Sequence, residues 1–262
     1  MSRALATEAI SLSVRDRLLV RELSMRVEPG QVWCVLGPNG AGKSTLLRTL
    51  AGLREADHGR VTLGGRDIGG YRPIELARLR GFLPQSIVDA FSLTVMEAVI
   101  AARHPRLPFW AWGDEDLEPA QRALRTFELQ SLAERDVTTL SGGERQRVNI
   151  AALFTQDVDV MLLDEPLSSL DLHHQMKTLH ELLHTAAHDG KSVVYTVHDI
   201  NLAFQHATHA VLLDGNGGAL AGLKDEVITS DHLSDAFHHP IHGVTLDGER
   251  FFRAGRLNGP SA

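Results

Sequence analysis

The residues Gly37-Pro38-Asn39-Gly40-Ala41-Gly42-Lys43-Ser44-Thr45 carry the clearest chemistry in the chain. They read G-x-x-x-x-G-K-S, a spacing suited to a polyphosphate. Glycines let the backbone turn so that successive N–H groups point inward at an anion. Lys43 can reach the β- and γ-phosphates as a point charge, and the Ser44 hydroxyl can ligate Mg²⁺. Taken alone, this loop specifies only a nucleoside triphosphate.

Three further stretches could complete a reaction. Leu162-Leu163-Asp164-Glu165 is an apolar run ending in carboxylates. At the C-terminal edge of a sheet, Asp164 can hold Mg²⁺, usually through water, and Glu165 can act as base or orient a water. The bland reading is a solvated acidic strand end. His198 follows Val193-Val194-Tyr195-Thr196-Val197 and so falls at another strand end, within reach of a γ-phosphate. A lone histidine there is more often incidental. In Leu140-Ser141-Gly142-Gly143-Glu144-Arg145-Gln146-Arg147, Ser141 and two glycines open a helix and make a second anion site of backbone N–H groups. Two phosphate sites for one nucleotide are odd within a single chain.

The elements that must position these groups are legible as patterns. Val32–Leu36 reads as a buried strand feeding a helix over 44–50, which puts the loop at the positive end of a helix dipole. Ile10–Val14 and Leu23–Val27 alternate like half-buried antiparallel strands. Asp57-His58-Gly59 is expected to turn into a strand over 60–63, and helices are expected over 74–80, 94–103, 118–129, 144–154 and 172–187. Thr94 with Glu97 three residues on has the spacing of a capping box. Further strands are expected over 81–84, 160–163 and 192–197, and a hairpin over 210–213 and 219–221. His104–Gly113 holds two prolines, Pro105 and Pro108, and the tryptophans Trp110 and Trp112, which interrupts regular structure. Strands alternating with helices imply an α/β fold on a parallel sheet. The tail from Asp225 gives no clear pattern.

Composition bounds the rest. The chain has 262 residues, 43% hydrophobic and 23% charged, enough to bury a sizeable core. A net charge of −7 argues against duplex binding as the main activity. The single Cys34 rules out an internal disulfide, fits a reducing compartment and is expected to be a core residue. No run approaches the ~18 apolar residues that span a bilayer, and the start does not resemble a secretory signal, so an intracellular soluble chain is expected. His180, His184 and His188 recur along one helix behind His173 and His174, a spacing at which metal binding is chemically possible, but no acidic or Cys ligand pattern accompanies them. A solvated helix face is the expectation there. The tail histidines His238, His239 and His242 are read in the same way.

Together these motifs resemble the ATPase subunit of an ATP-binding cassette (ABC) transporter, over nearly the whole chain and in the family's order. Gly37–Thr45 resembles its Walker A loop, Gln85 the Q-loop glutamine, and Leu140–Gln146 the LSGGQ-type signature with Glu144 in place of Gln. Val160–Glu165 resembles Walker B, Ser168-Ser169-Leu170-Asp171 the D-loop, and His198 the switch histidine. The resemblance implies a RecA-like parallel-sheet core with an N-terminal antiparallel β subdomain and a helical signature subdomain. It implies a single nucleotide-binding domain over 1–262, with the helical subdomain at approximately 86–157 and a C-terminal extension at 225–262.

It further implies a head-to-tail homodimer sandwiching two ATP molecules, each between one copy's Walker loop and the other's Ser141-Gly142-Gly143. Glu165 would polarise the attacking water, His198 would stabilise the transferred phosphoryl group, and Lys43 would bind it. Ser44, Gln85 and Asp164 would serve Mg²⁺, and Asp171 would join the two sites. The expected partners are an integral membrane permease dimer and, indirectly, a periplasmic or surface solute-binding protein, with no nucleic acid. The expected location is peripheral, on the cytoplasmic face of the inner membrane.

Phe82-Leu83-Pro84-Gln85, Leu93-Thr94-Val95, Arg103-His104-Pro105 to Trp110, Trp112-Gly113 and the late Asp231–Phe237 pattern are similar to the importer branch serving iron chelates, haem and vitamin B12. A different transport class, such as efflux, and a non-transport cassette protein are the alternatives. The permease is expected to dock near Gln85 and the loop from Ser86 to Ser92, where Trp110 and Trp112 could contribute. The chain departs from the family ahead of Walker A. Val14-Arg15-Asp16-Arg17-Leu18-Leu19-Val20 lacks the aromatic residue that often stacks on adenine. Arg15 or Arg17 could stack instead as a planar cation, though a solvated strand-end charge is the simpler reading.

Overall fold

Alternating apolar and polar residues make Leu5–Val14 (β1) and Arg17–Val27 (β2) an antiparallel pair. The computed structural model describes residues 3–87, 92–106 and 114–255. The pair is longer than its apolar segments suggest. It is broken by register shifts near Ala9 and Glu22, both in left-handed backbone that the sequence does not advertise. Next come β3 (Val32–Leu36), α1 (Lys43–Leu50), β4 (His58–Leu63), β5 (Arg66–Asp67), α2 (Pro73–Leu79) and β6 (Arg80–Leu83). The first sheet has the order β2-β1-β4-β5. Its strand β4 begins at His58, where a turn was expected. Gly59 (φ +75°) lies so close to β1 that a Cβ would stand 2.3 Å from the Glu8 carbonyl oxygen, so the glycine serves strand contact.

The helical region follows as α3 (Val95–Ala101), α4 (Asp114–Thr126) and α5 (Gly142–Thr155). Thr94 caps α3 in a capping box with Glu97, as its spacing predicts. Helix α4 starts and stops earlier than expected. Its chain leaves the helix before Glu128, which adopts φ 56°, a conformation that a glycine would have signalled and a glutamate does not.

The chain then builds β7 (Val160–Leu163), α6 (Leu172–Asp189), β8 (Ser192–Thr196), α7 (Ile200–His206), β9 (His209–Leu213) and β10 (Ala219–Leu223). The main sheet runs β10-β9-β3-β8-β7-β6, parallel except for β10. Its inner strands are buried along their length, as a sheet covered on both faces requires. Alternate residues serve two cores. Trp33 and Val35 face the antiparallel sheet and α1, while Cys34 and Leu36 face the helical side. Each fully buried large apolar side chain contributes about 1.5–3 kcal/mol, so both faces hold the loop between β3 and α1 firmly. Cys34 is a core residue whose thiol burial pushes up to about 12.

The unreadable tail folds into α8 (Lys224–Val227), α9 (Ser230–Phe237) and the hairpin β11 (Ile241–Leu246) and β12 (Glu249–Ala254). Asn201 of α7 anchors it. Asn201 Nδ2 donates to the Phe252 carbonyl at 3.1 Å, and the Phe252 amide donates back to Oδ1 at 2.7 Å. Helix α7 escaped the sequence reading because it is short; Asp199 caps it by accepting from the Asn201 and Leu202 amides. Trp110 and Trp112 lie outside the described residues.

Candidate nucleotide-hydrolysis site

Strand β3 ends at Leu36, and Gly37 turns the chain away at φ +146°. A side chain there would collide with the Leu213 carbonyl oxygen, 2.5 Å from where a Cβ would stand. The loop then closes on α1, whose first turn has no side-chain cap, since Gly42 stands at the cap in left-handed backbone. Those first amides have no intrahelical acceptor and face a phosphate-sized anion naturally.

The loop floors a cleft of about 760 Å³. Asn39, Gly40, Gly42, Lys43, Ser44 and Thr45 line it, together with Gln85, Glu165 and His198. Gly37, Pro38 and Ala41 shape the loop from behind; Ala41 is buried. Lys43 Nζ donates to the carbonyls of Gly37 at 2.8 Å and Pro38 at 3.2 Å. Burial draws its ammonium below the usual lysine range, against the opposing pull of the Glu165 and Asp164 carboxylates.

Both carboxylates follow the end of β7 and are tied to the neighbouring parallel strand β8 through Thr196. The Thr196 hydroxyl donates to Asp164 Oδ1 at 2.8 Å and accepts from the Glu165 amide at 2.7 Å. Asp164 is buried, and its amide donates to the Leu83 carbonyl at 2.8 Å. Glu165 adopts φ 50°, which turns its side chain out of the strand path. His198 Nε2 lies 2.8 Å from Glu165 Oε1. Sequence reasoning missed Thr196, whose only signal is a buried hydroxyl residue ending a run of β-branched apolar ones.

Ser141, Gly142, Gly143 and Asp171 do not line this cleft. Ser141 caps α5, and Glu144 closes a capping box by accepting from the Ser141 amide at 2.8 Å and its hydroxyl at 2.7 Å. These bonds hold the Glu144 carboxyl below the usual range. Gly143 packs so closely on the loop after β7 that a Cβ would be 2.8 Å from the Ser169 carbonyl oxygen. Gln146 Nε2 donates to the Pro166 carbonyl at 3.0 Å, tying α5 to the segment that carries Glu165. Asp171 caps α6 by accepting from the His174 amide.

At the far end of the cleft stand Val14, Arg17 and Leu19, with no aromatic ring among them. Arg17 is held there by donating from Nη2 to the Gly215 carbonyl at 2.7 Å. Arg15 sits in the β1–β2 turn at φ 54° and does not line the cleft. Of the two arginines, only Arg17 lines the cleft.

A sequence model described as ABC transporter matches residues 20–168, more than half of the chain. This chain belongs to the ABC transporter family. It is 38% identical over 229 residues to the probable siderophore transport system ATP-binding protein YusV of Bacillus subtilis, covering 87% of this chain and 83% of that one. It is 38% identical to the hemin import ATP-binding protein HmuV of Rhodopseudomonas palustris, covering 89% and 90%. Among solved structures, a metal-chelate type ABC transporter in an inward-facing conformation superposes with a TM-score of 0.82 at 30% identity, covering 97% of each chain. As an ABC ATPase, the chain binds and hydrolyses ATP, and its fold is that of the family. None of its described helices is long and apolar enough to cross a membrane.

Proposed function

We propose that this ABC ATPase drives import of a metal chelate, an iron-siderophore, haem or vitamin B12 class solute, through a separate membrane permease. The observation that carries the proposal is the likeness, along nearly the whole chain, to relatives named for siderophore transport and hemin import. Docking of the permease, on the cytoplasmic face of the inner membrane, falls beside Gln85. There an apolar hollow of about 240 Å³ is lined by Phe82, Ile87, Leu93, Ala98 and Ala101 among others. Ile87 is exposed, as expected of a residue reserved for a partner.

The hydrolytic roles follow from the cleft. The loop amides and Lys43 bind the phosphates. Glu165 orients and deprotonates the attacking water, and His198, against Glu165 Oε1, fixes the carboxylate and faces the γ-phosphate. Ser44, Gln85 and Asp164 offer hydroxyl, amide and carboxylate oxygens, the hard donor set that suits Mg²⁺. Held by these residues together with ATP, Mg²⁺ would supply positive charge to offset that building on the phosphates. Thr196 occupies one Asp164 oxygen and so aims the other. Because Ser141, Gly142 and Gly143 lie away from the cleft, a second copy supplies them head-to-tail, with Asp171 near the seam. The solute reaches the permease through a binding protein, and nucleic acid plays no part.

The test is uptake into vesicles holding the co-purified permease, with ATP enclosed and a panel of ferric siderophores, haem and cobalamin offered outside. ATP-dependent uptake of one chelate is the expected result. Recovery of the chain with ribosomes or DNA and no polytopic membrane protein would overturn the reading.

A further inference from the structure

The loop that ends α4 brings Glu128 against the start of α6, where His173 and His174 stand. The His173–Glu128 contact spans 45 residues of sequence, so the sequence around the histidines does not signal Glu128. His173 Nε2 is 3.4 Å from Glu128 Oε1, and His174 Nε2 is 3.7 Å from Oε2. One ligand atom from each residue lies within 4.8 Å of the others. A tetrahedral site with metal–donor bonds near 2.1 Å separates its donors by about 3.4 Å, so little movement is needed.

The orientation of His174 is the second observation. Its Nδ1 is 2.8 Å from Asp171 Oδ1, while its Nε2 is buried and has no hydrogen-bond partner. A carboxylate on one imidazole nitrogen fixes the tautomer and leaves the other as a metal ligand. The site is also braced. Arg147 of α5 donates from Nη1 to the carbonyls of Phe127 at 3.0 Å and Glu128 at 3.1 Å, holding the Glu128 turn in place. Lys177 is the competitor, since its ammonium now bonds Glu128 Oε1.

We propose that Glu128, His173 and His174 form a site for one divalent transition-metal ion of the Zn²⁺ class, completed by solvent. The ligands come from two elements, so the ion joins the loop after α4 to the start of α6, one turn from Asp171. It is separate from the nucleotide cleft, which contains none of these residues.

The test is calorimetric titration of Zn²⁺ into the nucleotide-free protein at neutral pH, with variants whose folding is checked by circular dichroism. One equivalent is expected to bind, and to weaken at least about 10-fold in Glu128→Gln and in His173→Ala. Lys177→Met removes the competing ammonium and should tighten it, while His184→Ala, farther along α6, should leave it unchanged. The proposal is overturned if the wild type binds no Zn²⁺, or if Glu128→Gln and His173→Ala bind as the wild type does. Loss of the site in His184→Ala would also overturn it, by placing the ion on the later histidines.

Discussion

Thr196 carries two jobs with one oxygen, donating to Asp164 and accepting from the Glu165 amide. Thr196→Val keeps the shape and removes both bonds. It leaves a buried carboxylate oxygen and a buried amide short of a partner, a cost of about 1–3 kcal/mol. Thermal unfolding should show that loss, and ATPase turnover should fall with it. Glu165→Gln separates the roles differently, because it spares the fold and removes the base. Turnover should drop by about 10²–10⁴-fold while ATP binding persists and the dimer stays closed. Equilibrium binding and single-turnover hydrolysis check this, and near-normal hydrolysis would remove Glu165 from the base role. Lys43, Ser44, Asp164, Glu165 and His198 were legible because each stands where an apolar run or a glycine loop stops. Thr196 and Glu128 were not, since their meaning comes from partners distant in sequence, and the sequence named Arg17 only as one of two arginines.

At the scale of elements, caps were the readable signals. Thr94 with Glu97 has the sequence spacing of the box that the structure forms, and Ser141 with Glu144 forms a second one. That second box gives a physical use to a glutamate where the family's signature has glutamine. Ends set by left-handed non-glycine residues such as Glu128 were misplaced, because the conformation is imposed by tertiary contacts rather than by residue type. Gly143 carries the clearest test at this scale. Gly143→Ala drives a methyl group to within 2.8 Å of the Ser169 carbonyl oxygen. The helix must shift from the loop after β7, at about 1–3 kcal/mol. Stability should fall by that amount in denaturant titration, and hydrolysis should suffer more than nucleotide binding, since the cleft residues themselves are untouched.

For the whole molecule, the two cores on opposite faces of one sheet explain why the α/β class and most strands were legible. Burial on both faces leaves uninterrupted apolar runs. The same architecture separates Ser141-Gly142-Gly143 from the cleft they are proposed to serve, so the central claim is that one copy cannot hydrolyse ATP alone. Ser141→Arg blocks the signature of its own copy, and Lys43→Ala disables its own loop. Mixed in equal amounts, the two inactive variants should form mixed dimers with one intact composite site each. With random pairing, ATPase activity should return to about a quarter of the wild-type rate. A mixture no more active than the two variants assayed separately would contradict the shared site.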